Sequence, residues 1–267
     1  KPFPSNGKKV YPVRIASVLS RDGGATWSKW THEANHNDVD IEGGATEQRS
    51  DGTILLLDTF VVPSDVVDHG VGELWKSHDD LRTVEGPFKV DFYLPHIKWN
   101  ASTDDVGRPY NVARLHRSLV EMPNGDLLTT MYAAFAGDTA PSAYMPTMMK
   151  ARTVIVRSRD HGAHWAYLST VAVDGGVGTE GFDEPVLVRI PKGVHAGRLL
   201  CMMRTGRELY GSHSDDQGLT WSRARPVRIP GVDIYGTDSW VRLFTDPKAP
   251  DYVPSDQMIG AIVDPDL

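Results

Sequence analysis

The sequence predicts an all-β protein built from four-stranded sheets in the manner of a β-propeller, and three observations carry that prediction. A motif of the form Ser-x-Asp-x-Gly-x-Thr-Trp occurs at residues 20–27 and returns complete at 214–221. Between its copies run pairs of apolar segments joined by polar turns that contain glycine. The copies also recur at a spacing that suits one sheet per repeat, the signature of a repeated architecture.

The motif comes first. Two further copies are imperfect: residues 158–165 carry His164 where threonine stands elsewhere, and residues 77–84 keep Ser77, Asp79 and Thr83 but lose the glycine and the tryptophan. Its chemistry is that of a turn. The aspartate accepts backbone N–H bonds while glycine takes positive φ, closing a hairpin between two strands. The tryptophan then offers a large apolar face to the sheet. Strand-like segments precede the copies (11–19, 153–157, 208–211), and another follows at 167–173. These residues read as structural, and no catalysis is assigned to them.

The second element is the hairpin between turns: 46–56 around Asp51-Gly52, 119–128 around Asn124-Gly125, and a longer one from 187 to 200 around Lys192-Gly193. Apolar runs bounded by such turns read as paired strands. Two strands from the hairpin, one ahead of the motif and one after it make a four-stranded sheet, the blade of a propeller.

The motif serines fall at 20, 77, 158 and 214, so the intervals are 57, 81 and 56. The middle interval implies an insertion, expected at 133–149. Residues 263–267 resemble 183–187, where a new sheet starts, so the chain reads as a single domain, residues 1–267, covering about four blades and a stub.

Composition limits the function classes. A 267-residue chain is long enough for a sizeable core. Hydrophobic residues at 40% and charged residues at 24% are ordinary for a globular protein. The net charge of -7 gives no electrostatic footprint for nucleic acid or an anionic membrane. No run approaches the ~18 apolar residues of a membrane helix. The first residues lack the apolar core of a secretion signal, and the compartment stays open. Cys201, the single cysteine, lies in an apolar run and reads as a buried structural thiol. There is no phosphate loop and no zinc spacing. His32, His36 and Asp38 lie close together without a fourth ligand, so neither metal nor cofactor is expected.

The repeated motif is that of the Asp-box, or bacterial neuraminidase repeat. With the hairpins between copies, nearly the whole chain resembles the sialidase (neuraminidase) superfamily of six-bladed propellers. The resemblance implies a glycoside hydrolase that removes a terminal acidic sugar. In that family three arginines clamp the substrate carboxylate, a glutamate activates a tyrosine nucleophile, and an aspartate is acid and base. Guanidinium forks suit a carboxylate, and a neutral phenol avoids repulsion by an anionic substrate.

Carried over by position, Glu184 in Glu184-Pro185-Val186-Leu187 resembles the activating glutamate. Arg204, closing 199–204, resembles the second clamp arginine. The family's Arg-Ile-Pro motif is missing from the inner strand at 114–119, where Arg117, with Arg114 behind it, is the candidate first arginine. The same letters at 189–191 and 228–230 fall at a hairpin turn and after an outer strand, and are read as coincidence. Asp138 is the candidate acid and base. The tyrosine and third arginine would lie beyond residue 267, so this chain alone is expected to be inactive.

A competing pattern arises when hairpins are laid on one another through their turns. Met122-Pro123 over Ile190-Pro191 puts His116 in the slot of Glu184, and Asp264 takes the same slot in the terminal stub. Inner strands of a propeller line its channel, so these groups could share one mouth and do acid–base work without a clamp. Three functions follow: a sialidase-like hydrolase of an acidic glycan, a polysaccharide lyase using His116 and a tyrosine, or a propeller that only binds glycans or proteins.

Overall fold

A computed structural model of the chain describes residues 3–5, 8–10, 16–18, 20–28, 31–32, 45–103, 109–143 and 148–227. All regular structure among them is strand: β1 (Phe3–Ser5), β2 (Lys8–Val10), β3 (Ala16–Ser17), β4 (Thr31–His32), β5 (Ala45–Gln48), β6 (Ile54–Leu57), β7 (Phe60–Pro63), β8 (His69–Ser77), β9 (Glu85–Tyr93), β10 (Ile97–Lys98), β11 (Asn100–Thr103), β12 (Pro109–Glu121), β13 (Leu127–Phe135), β14 (Arg152–Ser158), β15 (His164–Ala172), β16 (Asp183–Arg189), β17 (Leu199–Arg204), β18 (Leu209–Ser214) and β19 (Arg225–Pro226). Among the described residues no helix is long and apolar enough to cross a membrane.

Three antiparallel meanders follow one another along the chain. The first is β5–β6–β8–β9, with β7 extending β6 along β8. The second is β12–β13–β14–β15, and the third β16–β17–β18–β19. The hairpins expected around Gly52, Gly125 and Gly193 open each sheet, as β5–β6, β12–β13 and β16–β17. Two links join the first two sheets: β7 to β12, and a short parallel pairing of β9 with β15. They close a ring of seven hydrogen-bonded strands. Successive four-stranded sheets with inner strands side by side make the fold propeller-like.

The insertion expected at 133–149 begins later. Residues 133–135 complete β13, and the loop starts at Ala136. A second excess, holding β10 and β11, lies between β9 and β12. Both loops return to the sheet, β10 to β13 and β11 to β12.

The repeated turn has one hydrogen-bond pattern in all four copies. The serine hydroxyl donates to the aspartate two residues on, and the amide four residues after the serine donates back to the hydroxyl. The aspartate then accepts the backbone amide of Thr26, Thr83, His164 or Thr220. Two successive residues in each turn have positive φ. The second is Gly24, Gly162 or Gly218 in three copies and Leu81 (φ 62°) in the degraded one. A turn held by its own side chains thus tolerates a non-glycine residue there, at a cost on the order of 1 kcal/mol.

Burial alternates with period two where one face meets the core, as in β17, where Leu199, Cys201 and Met203 are buried. In β13 the alternation disappears because both faces are covered. Leu127 and Met131 pack into one apolar cluster with Leu115, Phe92 and Trp165, while Leu128 joins another with Ile155, Phe182 and Cys201. The middle sheet is therefore sandwiched between its two neighbours. Burial alone pushes the Cys201 thiol pKa far upward, as its reading as a structural thiol requires.

Candidate active site

The third sheet opens on an irregular strand. Asp183 pairs with Arg204, but the next regular pair is Val186 with Met202, so β16 carries an extra residue against β17. The bulge falls on Glu184, whose φ is 39°. Left-handed backbone at a non-glycine residue costs about 1–3 kcal/mol and is held only where neighbours over-determine it. Here Glu184 is tied to Arg204, Nε to Oε2 at 2.6 Å. The two residues expected at the ends of one inner hairpin are therefore in direct contact.

Arg204 has two more partners that the sequence did not suggest. Its Nη2 donates to Glu180 at 2.7 Å and to Asp183 at 3.2 Å. Glu180 and Asp183 are nearly buried, while Arg204 and Glu184 stay substantially exposed. Burial raises the pKa of Asp183 well above the carboxylate range, helped by hydrogen bonding to Glu180 and opposed by Arg204. Asp183 Oδ1 has no partner among the described residues. Beneath the pair of Glu184 and Arg204 thus lies a nearly buried carboxyl, Asp183, whose neutral form burial favours.

Tight backbone contacts set Glu180 in place. The amides of Thr179 and Glu180 both donate to the carbonyl of Thr205, just past Arg204. At Gly178 (φ 53°) a Cβ would lie 2.0 Å from that carbonyl oxygen, so only glycine fits. Lys150 Nζ donates to the carbonyls of Gly175, Val177 and Gly178, gathering the same loop.

The second sheet supplies the other wall. Its inner strand β12 stands beside β16 without a backbone ladder. Ser118 Oγ accepts the amide of Leu187 at 2.7 Å, and His116 Nδ1 meets the carbonyl of Pro185 at 3.1 Å. A carbonyl only accepts, so Nδ1 carries the proton and Nε2 presents its lone pair. Burial lowers the His116 pKa, with Arg117 and Arg204 adding to it against Glu184.

Aligning the hairpins by their turns puts His116 in the slot of Glu184, and the backbone corrects this. In β12 the register breaks between Leu115 and Leu119, and the left-handed residue is Arg117, φ 45°. By backbone conformation Arg117, not His116, is the counterpart of Glu184. The extra residues of the bulge are invisible when strands are counted from the turn. The third member of the proposed slot, Asp264, lies outside the described residues, as do His36, Asp38 and the letters at 228–230.

Arg117 is exposed and has no ion pair among the described residues. Arg114 lies over the Phe60 ring, 5.3 Å from its centroid. Asp138 sits apart from this cluster. Both its oxygens are engaged by Arg152, one of them at 2.8 Å from Nε, and its Oδ2 also accepts the Phe135 amide at 2.7 Å. Its pKa is lowered: burial would raise it, but the Arg152 hydrogen bonds and charge prevail. None of its described contacts reaches Glu184 or Arg204.

One further group belongs to the site. Tyr132, on β13, stands edge-on to His116 at 6.0 Å between ring centroids. Burial raises its pKa, Arg114 pulls it down by charge and a hydrogen bond, and Glu184 and Asp183 push it up. The phenol is neutral, and near the carboxylates. Nothing in the run Met131-Tyr132-Ala133 marks it as more than a strand residue. Among the described residues, no group of three or more His, Cys, Asp or Glu is arranged to hold a metal ion.

No family model matches the sequence, and no curated protein does. Among solved structures the chain is similar to a protein of unknown function from Dyadobacter fermentans DSM 18053, at 23% identity and a TM-score of 0.56, covering 82% of this chain and 59% of that one. It is similar to a Hadza microbial sialidase at 15% identity and a TM-score of 0.49, covering 78% of this chain and 39% of that one. An α-L-arabinofuranosidase of Fusarium graminearum follows at 18% identity and a TM-score of 0.43, with 70% and 48% covered. The chain therefore spans about three fifths of the first protein's length and two fifths of the second's. The first likeness is one of fold.

Proposed function

We propose that the complete protein is a sialidase-like glycoside hydrolase, a six-bladed propeller with Asp-box turns, that removes a terminal acidic sugar from a glycan. The observation that carries this reading is the contact between Glu184 and Arg204 on one inner hairpin, both substantially exposed, with Arg204 held from below by Glu180 and Asp183. Glu184 would activate the nucleophile and Arg204 would hold the substrate carboxylate. Two of the three guanidinium nitrogens of Arg204 are engaged by Glu184, Glu180 and Asp183, which leaves Nη1 for the substrate. Arg117, exposed on the neighbouring inner strand, would add a second contact. The tyrosine nucleophile and third arginine would come from further blades. Asp138 would serve as acid and base only if its ion pair with Arg152 opened.

A second reading has its own support. His116 presents Nε2 as a proton acceptor, and Tyr132, a neutral phenol, lies beside it. A base and a neutral phenol acid are what a lyase needs to take the proton α to a uronate carboxyl and to protonate the leaving oxygen.

The test is release of fluorophore from an aryl sialoside by the complete protein and by its Glu184→Gln variant. Hydrolysis that falls by about 10² or more in the variant supports the first reading. An intact, folded protein that leaves the sialoside untouched overturns it. Formation of unsaturated product from a uronate polymer, lost in His116→Gln, would then support the second.

A further inference from the structure

A second constellation lies away from this site, at the hairpin between β7 and β8. Ser64 Oγ is 2.7 Å from His69 Nδ1, and His69 Nε2 is 3.0 Å from Asp91 Oδ1. The carboxylate accepts only, so Nε2 carries the proton and Nδ1 is the acceptor facing the serine hydroxyl. Serine, base and orienting carboxylate therefore stand in one hydrogen-bonded row, the geometry that makes a hydroxyl nucleophilic. Either imidazole nitrogen can serve as base, since the triad is recognised by geometry and roles.

The surroundings fit the same chemistry. The hairpin is closed by Ser64 N–H donating to the His69 carbonyl and His69 N–H donating to the Val66 carbonyl. Val66 N–H donates to Ser64 Oγ at 3.0 Å, which fixes the hydroxyl in place. The amides of Asp65 and Val67, the residues before and after Val66 in sequence, have no acceptor among the described residues. Val66 and Val67 are 64% and 86% exposed at the hairpin tip, and Tyr93, 49% exposed, packs its ring against His69 at 5.0 Å. Asp91 is steadied from the next sheet by His164 Nε2 at 3.7 Å, and His164 is itself bound to Asp160. Tyr93 also lines a groove of about 220 Å³ with Arg157, Arg159 and His164, and neither Ser64 nor His69 lines it.

We propose that Ser64, His69 and Asp91 form a nucleophilic site that hydrolyses short-chain acyl esters. Ser64 Oγ attacks the acyl carbon and its proton passes to His69 Nδ1. The C–O bond to the alcohol then breaks, and the alkoxide takes that proton as it leaves. Water repeats the sequence on the acyl-serine, releasing the carboxylic acid and restoring the hydroxyl. Ser64 and His69 are the catalytic residues, and Asp91 is the positioning residue. The site is independent of the glycan-directed reading.

The experiment treats the purified chain with a fluorophosphonate probe and maps the adduct by mass spectrometry, alongside hydrolysis of 4-nitrophenyl acetate. Expected are one adduct per chain, on Ser64, and a loss of hydrolysis of about 10²-fold or more in Ser64→Ala. Asp91→Asn keeps the shape but favours the other histidine tautomer, so it should lower the rate and shift the pH profile. Thermal unfolding of each variant separates lost chemistry from lost fold. A folded wild-type chain that takes no label at Ser64, or esterase activity equal in wild type and a folded Ser64→Ala, overturns the proposal.

Discussion

Replacing Arg204 by methionine tests the reading of the carboxyl cluster beneath the candidate site. Glu180 is 11% and Asp183 9% exposed, and both are bonded to Nη2 of Arg204. Breaking a buried pair by removing one partner costs about 3–5 kcal/mol. Arg204 itself is 46% exposed, and its contact with the 39% exposed Glu184 contributes at most about 1 kcal/mol. Screening at the exposed end and proton uptake by the carboxyls left behind lower the expected loss to about 2–3 kcal/mol at pH 8. The sign of the pH dependence follows from Asp183. A carboxyl whose folded pKa is raised binds its proton more tightly folded than unfolded. Its contribution is most favourable below the unfolded value of about 3.8 and is lost as pH rises toward the folded value. Without the guanidinium that rise is larger, so the variant's deficit should shrink to about 1 kcal/mol near pH 4.5, the worth of one hydrogen bond. Asp183→Asn should do the reverse, gaining on wild type as pH goes from 5 to 8. Urea unfolding at pH 4.5 and 8 measures both, with the slope m as a check on the denatured state. A loss in Arg204→Met that is the same at both pH values would refute the account of Asp183 as a carboxyl with a raised pKa. So would an Asp183→Asn variant whose difference from wild type does not change with pH.

Two other expectations concern the repeated turns. Trp165 is fully buried, stacked on Phe92 at 5.9 Å and bonded through Nε1 to Gly162 O, so Trp165→Ala should cost about 3–5 kcal/mol in a denaturant melt. A loss below about 1 kcal/mol would mean the two sheets do not depend on this contact. In the last turn the Thr220 hydroxyl and amide hold Asp216 at a pKa of about 2. That depressed carboxylate stabilises the fold above pH 4 and loses its effect as pH falls through 2. Thr220→Val should therefore cost about 0.5–1 kcal/mol at pH 6 after allowance for its exposure, and close to nothing at pH 2, as read from paired urea titrations.

Much of the fold was legible because the signals that specify it are local. Ser214, Asp216, Gly218 and Thr220 make their turn bonds within seven residues of chain, so a letter pattern suffices to find the turn. The hairpins around Gly52, Gly125 and Gly193 are equally short-range. The insertion was misplaced by a few residues because Ala133 pairs with Arg152 of β14, and Ala134 and Phe135 continue the strand through pairing with β10, a segment distant in sequence. Glu184 and Arg204, singled out by resemblance, are in contact because each ends a strand of one hairpin. The slot assigned to His116 failed for a related reason. A bulge adds residues without changing the apolar pattern, and only the backbone reveals that Arg117 is the left-handed one.

The sequence by itself determined the strand order within a repeat, the turns, the burial of Cys201 and the placing of Glu184 and Arg204 at the ends of one hairpin, since each follows from neighbours within about twenty residues. Tertiary structure alone decided that Glu180 and Asp183 share Arg204, that His116 and Tyr132 face Glu184 from another sheet, and that Ser64 meets His69 and Asp91. Those groupings depend on register, bulges and the stacking of one sheet on the next. Such terms enter only when distant strands are brought together, and they decide which polar side chains are buried in company and which are left in water.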